Sequence, residues 1–348
     1  MKLNAEEIFM KFQEESITCN MRARQFLALV LSSTLVLLAC VSLGHAESFE
    51  GFGPSTEYDS GFNPSVAVSG ATVVEVHNGQ GQAGKMWYHV GQVSDSTTIT
   101  WGPAYSYDSG WNPQVAISGS TVIEVHNGQG TDGPMWYHVG QVSGTKITWG
   151  PPYEYDWGWN PSIAISGSTV IEVHNGQGQA GEMWYHVGQI SGSKIIWEPA
   201  YTYDYGYNPS VAFAGSTAVE VHNGQGGAGP MWYHVGTVSG SQIEWGPSNN
   251  YDWGYNPKVA FFNASCYTDP PMVMEVHNAN AYPSDLWYHS GDWLGGTTLN
   301  LGPTTQYDWG WNPSVAAESN ANGVIEVHNG QLSSGPMWYH VGFNFCIG

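Results

Sequence analysis

Arginine is nearly missing. Its last occurrence is Arg24, and beyond residue 46 the only strong bases are Lys85, Lys146, Lys194 and Lys258. Phosphate backbones and anionic bilayers are held by Lys and Arg, so nucleic acid and anionic membrane surfaces drop out as partners. An arginine clamp on a substrate carboxylate, as in a sialidase-type site, has no residue to build it. Charge in general is scarce: 11% of the 348 residues, with acids outnumbering bases 29 to 8 for a formal −21. A Gly-x-Ser-x-Gly nucleophile elbow is lacking as well. The non-repeated acids Glu154, Glu182, Asp285 and Asp292 offer no paired-carboxylate signature. Together these gaps lead to the expectation of a protein that is not an enzyme and has no catalytic residues.

Long apolar runs are limited to one, residues 26–43 (FLALVLSSTLVLLACVSL), preceded by Arg22 and Arg24. A basic start, an apolar stretch and small residues afterwards form a secretory signal. The acids Glu6, Glu7, Glu14 and Glu15 fit that pattern poorly, which places the expected start at Met21. Residues 1–46 thus read as a leader, with cleavage after Ala46 or, in a lipoprotein-like box, lipid attachment at Cys40. Cleavage predicts a secreted protein, lipidation a surface-anchored one. Only Cys266 and Cys346 then remain, an even pair that suits an oxidising compartment.

What the chain has in abundance is glycine (45), tryptophan (17) and repetition. Tyr-Asp-x-Gly-aromatic-Asn-Pro begins at Tyr58, Tyr107, Tyr155, Tyr203, Tyr251 and Tyr307, at spacings of 49, 48, 48, 48 and 56. Each unit continues with PSVAVSG-like, TVVEVHNGQG-like, MWYHVGQV-like and ITWGP-like segments. All alternate with period two and are rich in Val, Ile, Trp and Tyr, which is strand chemistry, with Gly, Asn and Ser at the turns. Four short strands in about 48 residues predict one propeller blade. Phe52-Gly53-Pro54 matches Trp101-Gly102-Pro103, whereas the last unit stops after its third strand. The expected fold for residues 47–348 is therefore all-β, a six-bladed β-propeller of four-stranded blades, closed by the N-terminal strand completing the last blade.

The fifth unit carries about eight extra residues around Asn263–Met272, including Cys266. The turns after strands one and three share a rim, so Cys266 and Cys346 are expected to form a disulfide worth about 4–5 kcal/mol for a loop of this size.

Two links on the opposite rim gather the unusual residues. The first carries Phe62, Trp111, Trp159, Tyr207, Tyr255 and Trp311, candidate platforms for the C–H face of a sugar; packing between blades is the competing reading. A second slot reads Ser60, Ser109, Trp157, Tyr205, Trp253 and Trp309, and its serines suit a solvent-facing position. His77, His126, His174, His222, His277 and His328 each precede Asn78, Asn127, Asn175, Asn223, Asn278 and Asn329, candidate hydrogen-bonding groups for hydroxyls. Trp87, Trp136, Trp184, Trp232, Trp287 and Trp338 complete the candidate set. A second histidine, His89 and its counterparts, follows Trp-Tyr. Glu75 with these histidines could ligate a metal, but a Glu–His hydrogen bond between blades is the plainer account of six copies. The repeated Asp59, Asp108, Asp156, Asp204, Asp252 and Asp308 are expected to cap turns, with calcium as the weaker option. So many histidines predict sensitivity to mild acid.

Units reading Tyr-Asp-x-Gly-x-Asn-Pro-Ser-Val-Ala, Val-Glu-Val-His and Met-Trp-Tyr-His-Val-Gly resemble repeats of secreted microbial proteins, over residues 47–348. In architecture the chain is similar to six-bladed fucose-binding lectins. That resemblance implies up to six glycan sites on one face, with glycans or glycoconjugates as partners; a structural or protein-binding propeller without sugar sites is the competing reading, and a glycosidase comes third. Those lectins usually offer an Arg to the sugar. This chain has none to offer, which narrows the expected ligand to neutral sugars.

Overall fold

A computed structural model describes residues 48–79, 84–95, 98–128, 133–176, 181–224, 229–262, 271–279, 284–318, 323–330 and 335–345. The leader, with Met21, Ala46 and Cys40, lies outside the described residues, and so do Cys266 and Cys346 with their expected disulfide. All regular structure among the described residues is β-strand.

One unit shows why its sequence folds as it does. In Tyr153–Ser166 the residues Ile163 and Ala164 are buried, and in Thr169–Gly176 every position after the first is. The turn between these strands is Gly167-Ser168, with Gly167 at φ +63°, a conformation that glycine adopts without penalty. Glu182–Ser191 follows in antiparallel register, Glu172 opposite His186 and His174 opposite Trp184. Lys194–Trp197 and then Tyr201–Tyr205 close the outer edge of Glu182–Ser191.

Among the described residues the hydrogen-bonded sheets are three, each of nine strands, instead of separate four-stranded blades. The cause lies in the link glycines. At Gly61, Gly158 and Gly254 the chain stays extended, so the outer strand of one unit runs on as the inner strand of the next in fourteen-residue strands. At Gly110, Gly206 and Gly310 the strand is interrupted for one residue and the sheet ends. Each sheet thus fuses two sequence repeats.

One of these sheets contains both ends of the described chain. Ser48–Phe52 pairs with Gly335–Phe345, Phe52 opposite Gly342, and Thr56 of the next strand lies opposite Tyr339. The inner strands touch in cyclic order: Thr56–Ser69, Trp111–Ser118, Tyr153–Ser166, Tyr207–Ala214, Asn249–Phe262, Trp311–Glu318 and back to the first.

Apolar cores sit between successive repeats. Ala116, Ile123, Val125 and Tyr137 of one repeat pack with Ile163, Val170 and Ile195 of the next. The Tyr137 hydroxyl accepts the Ile195 N–H at 3.1 Å, fastening one repeat to the following one. Tyr339 does the same for Ile99, tying the last repeat to the first.

Candidate functional site

The link Tyr-Asp-x-Gly-aromatic-Asn-Pro positions nearly every group of interest. Its glycine is required by close approach: a Cβ on Gly158 would strike the Asn175 carbonyl oxygen and lie 2.7 Å from the His174 ring. Its asparagines Asn63, Asn112, Asn160, Asn208, Asn256 and Asn312 all have φ between 50° and 56°. Asn tolerates this left-handed region better than other side-chain-bearing residues.

From this link the aspartate reaches back over the next repeat. Asp156 Oδ1 accepts the N–H of Trp157 at 2.7 Å, and Oδ2 accepts from His186 Nε2 at 2.7 Å. Nδ1 of His186 faces the Glu198 carbonyl oxygen at 2.9 Å. Both ring nitrogens therefore face acceptors, an arrangement that a doubly protonated imidazolium satisfies. The same pair recurs as His89–Asp59, His138–Asp108, His234–Asp204, His289–Asp252 and His340–Asp308, at 2.7–2.9 Å. Burial alone would lower the pKa of His186, but the Asp156 hydrogen bond, the Glu172 charge and the Glu198 carbonyl outweigh it and raise the pKa. For Asp308, burial works upward, while hydrogen bonds from His340 and the Trp309 N–H bring it down to about 2.

The first histidine is deeper. His174 Nδ1 lies 3.0 Å from Glu172 Oε2, and Tyr155 donates its hydroxyl to Glu172 Oε1 at 3.0 Å. Burial, followed by the Glu172 charge, pushes Tyr155 well above the usual range, which keeps it a donor. The Glu–His bond joins neighbours on one strand, and the tyrosine makes the link between repeats.

These positions revise the expected binding set. His77, His126, His174, His222, His277 and His328 are all buried against their glutamates. Asn78, Asn127, Asn175, Asn223, Asn278 and Asn329 are buried too, each donating to the carbonyl of the next link glycine, as Asn127 does to Gly158 at 2.8 Å. Five of them also accept the N–H of the next link asparagine. The link backbone needs these partners, and the amides satisfy it. Phe62, Trp111, Trp159, Tyr207, Tyr255 and Trp311 are half-buried, and two contacts pack them on one another: Phe62 on Trp111 and Trp159 on Tyr207. Trp87, Trp136, Trp184, Trp232, Trp287 and Trp338 are half-buried as well.

The exposed rings occupy the second link slot. Trp157, Tyr205, Trp253 and Trp309 are 49%, 53%, 62% and 45% exposed. Among them Trp309 borders a cleft of about 650 Å³, shared with Ser55, Asp308, His328, Pro336 and Trp338. One exposed ring, one half-buried ring, a carboxylate and an imidazole edge thus meet around one opening. The alternation of Ser with aromatics was the only sequence signal for this slot, and it marked exposure without marking a cleft.

Three-ligand clusters also form at Asp156/His174/His186, Glu220/His222/His234, Asp252/His277/His289 and Asp308/His328/His340, with candidate atoms within 4.8 Å of one another. In each the second histidine already shares a short hydrogen bond with the link aspartate. The aspartates each already accept from a histidine and a backbone N–H, bonds that a calcium site would have to displace.

No known protein family matches this sequence, and no curated protein matches it. Similar solved structures do exist. Trypanosoma rangeli sialidase aligns with a TM-score of 0.55 at 11% identity, over 86% of this chain and 60% of that one. The chain thus spans three-fifths of the sialidase's length. The fucose-specific lectin from Aleuria aurantia aligns at 0.54 and 10%, over 84% of this chain and 97% of the lectin. A subtype N10 neuraminidase-like protein of a bat influenza A virus gives 0.52 and 8%, over 86% and 100%. At these identities the likeness is one of fold, and the fold is that of propellers. The expectation of a non-enzyme does not stand: solved structures with this fold include sialidases, which are enzymes, at about 11% identity.

Proposed function

We propose that the protein is a six-bladed propeller that binds carbohydrate in clefts between successive repeats, each floored by the aromatic of the second link slot. The observation that carries this reading is the cleft between Trp309 and Trp338. Aromatic faces receive the C–H face of a pyranose, while the partly exposed Asp308 carboxylate accepts hydrogen bonds from hydroxyls. With no arginine after Arg24 and an ionised Asp308 at the wall, neutral sugars suit the cleft best. The cyclic order of the inner strands and the pairing of Ser48–Phe52 with Gly335–Phe345 support six blades closed by the N-terminal strand.

Trp157, Tyr205, Trp253 and Trp309 give four strong sites, and Ser60 and Ser109 leave two weaker ones. Modest sites displayed together gain avidity on clustered glycans by orders of magnitude. Export through the leader, free or lipid-anchored at Cys40, and a Cys266–Cys346 disulfide belong to the same reading. Peptide mapping without reductant that finds both thiols free removes the disulfide.

A glycan array probed for both retention and cleavage is the deciding test. Retention of neutral glycans by the purified protein, weakened stepwise and lost when Trp157, Tyr205, Trp253 and Trp309 are all replaced by Ala, is the expected result. An array without retention or turnover overturns the reading.

A further inference from the structure

The six inner strands surround a second cavity of about 200 Å³, lined by the link asparagines, Gln114, Tyr255 and Lys258. The asparagine side chains hydrogen-bond around it in sequence. Asn63 donates to Asn112, Asn112 to Asn160, Asn160 to Asn208, Asn256 to Asn312 and Asn312 to Asn63. The circuit is broken at one place. Asn208 turns to Asn223 Oδ1 at 3.5 Å instead of reaching Asn256.

Two residues beyond Asn256 on the same strand stands Lys258, where repetition is also broken. The equivalent positions hold Ser65, Gln114, Ser162, Ser210 and Ser314. Each serine hydroxyl accepts a backbone N–H of the next inner strand, as Ser65 does from Val115 at 3.2 Å and Ser210 from Val259 at 3.3 Å. Gln114 and Lys258 do something else. Their strands are three places apart in the cyclic order of six, and Lys258 Nζ meets Gln114 Oε1 at 3.4 Å. The ammonium therefore projects into the cavity towards the far wall.

Among the described residues no carboxylate pairs with Lys258, although it carries a positive charge in a strongly acidic protein. A neutral amide at 3.4 Å is a weak substitute for a counter-ion, because an ammonium has three donors to satisfy. Burial pulls the Lys258 pKa down to about 8, with no opposing charge to lift it. At neutral pH the group is still mostly protonated.

We propose that the axial cavity is an anion site in which Lys258 binds a small oxyanion, inorganic phosphate or sulfate or the carboxylate of an organic acid, assisted by Gln114 and the amides at the break between Asn208 and Asn256. The volume equals the share of about seven waters in the liquid, enough for such an ion with part of its hydration shell. The site is unique in the molecule because only one repeat carries the lysine. It is separate from the aromatic clefts and does not depend on them.

The test is calorimetric titration of the whole protein at pH 7 with phosphate, sulfate and acetate in turn, at fixed ionic strength. Lys258→Ser is the informative variant, since four other repeats hold serine there and the fold accommodates it. Wild type is expected to bind at least one of the three anions with one-to-one stoichiometry, and Lys258→Ser to bind it at least tenfold more weakly. Binding should also weaken as the pH passes 8. The same anion should shield Lys258 from trinitrobenzenesulfonate labelling, read by peptide mass, while Lys85, Lys146 and Lys194 stay reactive. Binding that survives Lys258→Ser unchanged, or wild type indifferent to all three anions, overturns the proposal. Should Lys258→Ser melt early, Lys258→Gln and the labelling of wild type decide it in the same way.

Discussion

Each second histidine of the repeat is held between a carboxylate and a carbonyl, so its value to the fold depends on its charge. Replacing Asp156 by Asn leaves His186 with one neutral partner in place of an anion. The loss of that charge-assisted bond costs about 1.5–3 kcal/mol, measurable by urea unfolding against wild type. An unchanged midpoint would show that the pair adds nothing. Exposed aromatics behave in the opposite way. Trp309→Ala removes a ring that is nearly half in solvent and should shift stability by no more than about 0.5 kcal/mol. Half-buried Trp159, whose indole donates to the Gly176 carbonyl at 3.1 Å, should cost about 1–2 kcal/mol on truncation. If Trp309→Ala weakens glycan retention while melting as wild type does, the cleft reading gains; undiminished retention after Trp157, Tyr205, Trp253 and Trp309 are all replaced by Ala removes it.

At the scale of the element, the link is the unit of design. It turns a peripheral strand into an inner one, and its asparagine satisfies three demands at once: a left-handed backbone, a donor to the next asparagine and an N–H for the preceding repeat's buried amide. Asn160→Gly keeps the backbone conformation and loses the amide bonds, whereas Asn160→Ala loses both. The alanine variant should therefore be the less stable by about 1–2 kcal/mol, the left-handed penalty of a residue with Cβ. Equal thermal midpoints for the two variants would show that the amide bonds alone matter here.

Across the whole molecule the His–Asp pairs set the response to pH, and the structure reverses the expected weakness in mild acid. His89, His138, His186, His234 and His340 have raised pKa values, so their contribution is complete below the ordinary 6.5 and fades as pH climbs through the raised values. Their aspartates are lowered, Asp204 and Asp308 to about 2, so that contribution holds above the ordinary 3.8 and fades as pH falls towards 2. Both halves are present between about pH 4 and 6.5. Thermal melts at constant ionic strength should peak in that window and decline towards pH 9. A lower midpoint at pH 5.5 than at pH 8.5 would falsify this account.

How much of this was legible in advance follows from which forces act locally. Strand content and repeat length were legible because period-two alternation and turn residues are properties of a few neighbouring positions. The partition of strands into sheets was not: Gly158 continues a strand and Gly206 interrupts one, although both stand at the same place in the motif and both contact the equivalent glycine of the preceding repeat. Ring identity could be read from the chain, and the serines of the second slot marked it as solvent-facing, yet neither the cleft beside Trp309 nor the burial of Asn127 and His174 could be read there. The buried amides look like binding residues in a sequence because the backbone they serve belongs to another repeat. By itself, then, the sequence determined an all-β array of near-identical units with almost no basic residues. Only the tertiary structure decided which polar groups are consumed by neighbouring repeats and which remain for a ligand, because those contacts join residues about 30 or more positions apart. Lys258 shows the same division: one of two exceptions to serine among six aligned positions, it acquired a role only when the cavity around it and the broken asparagine circuit came into view.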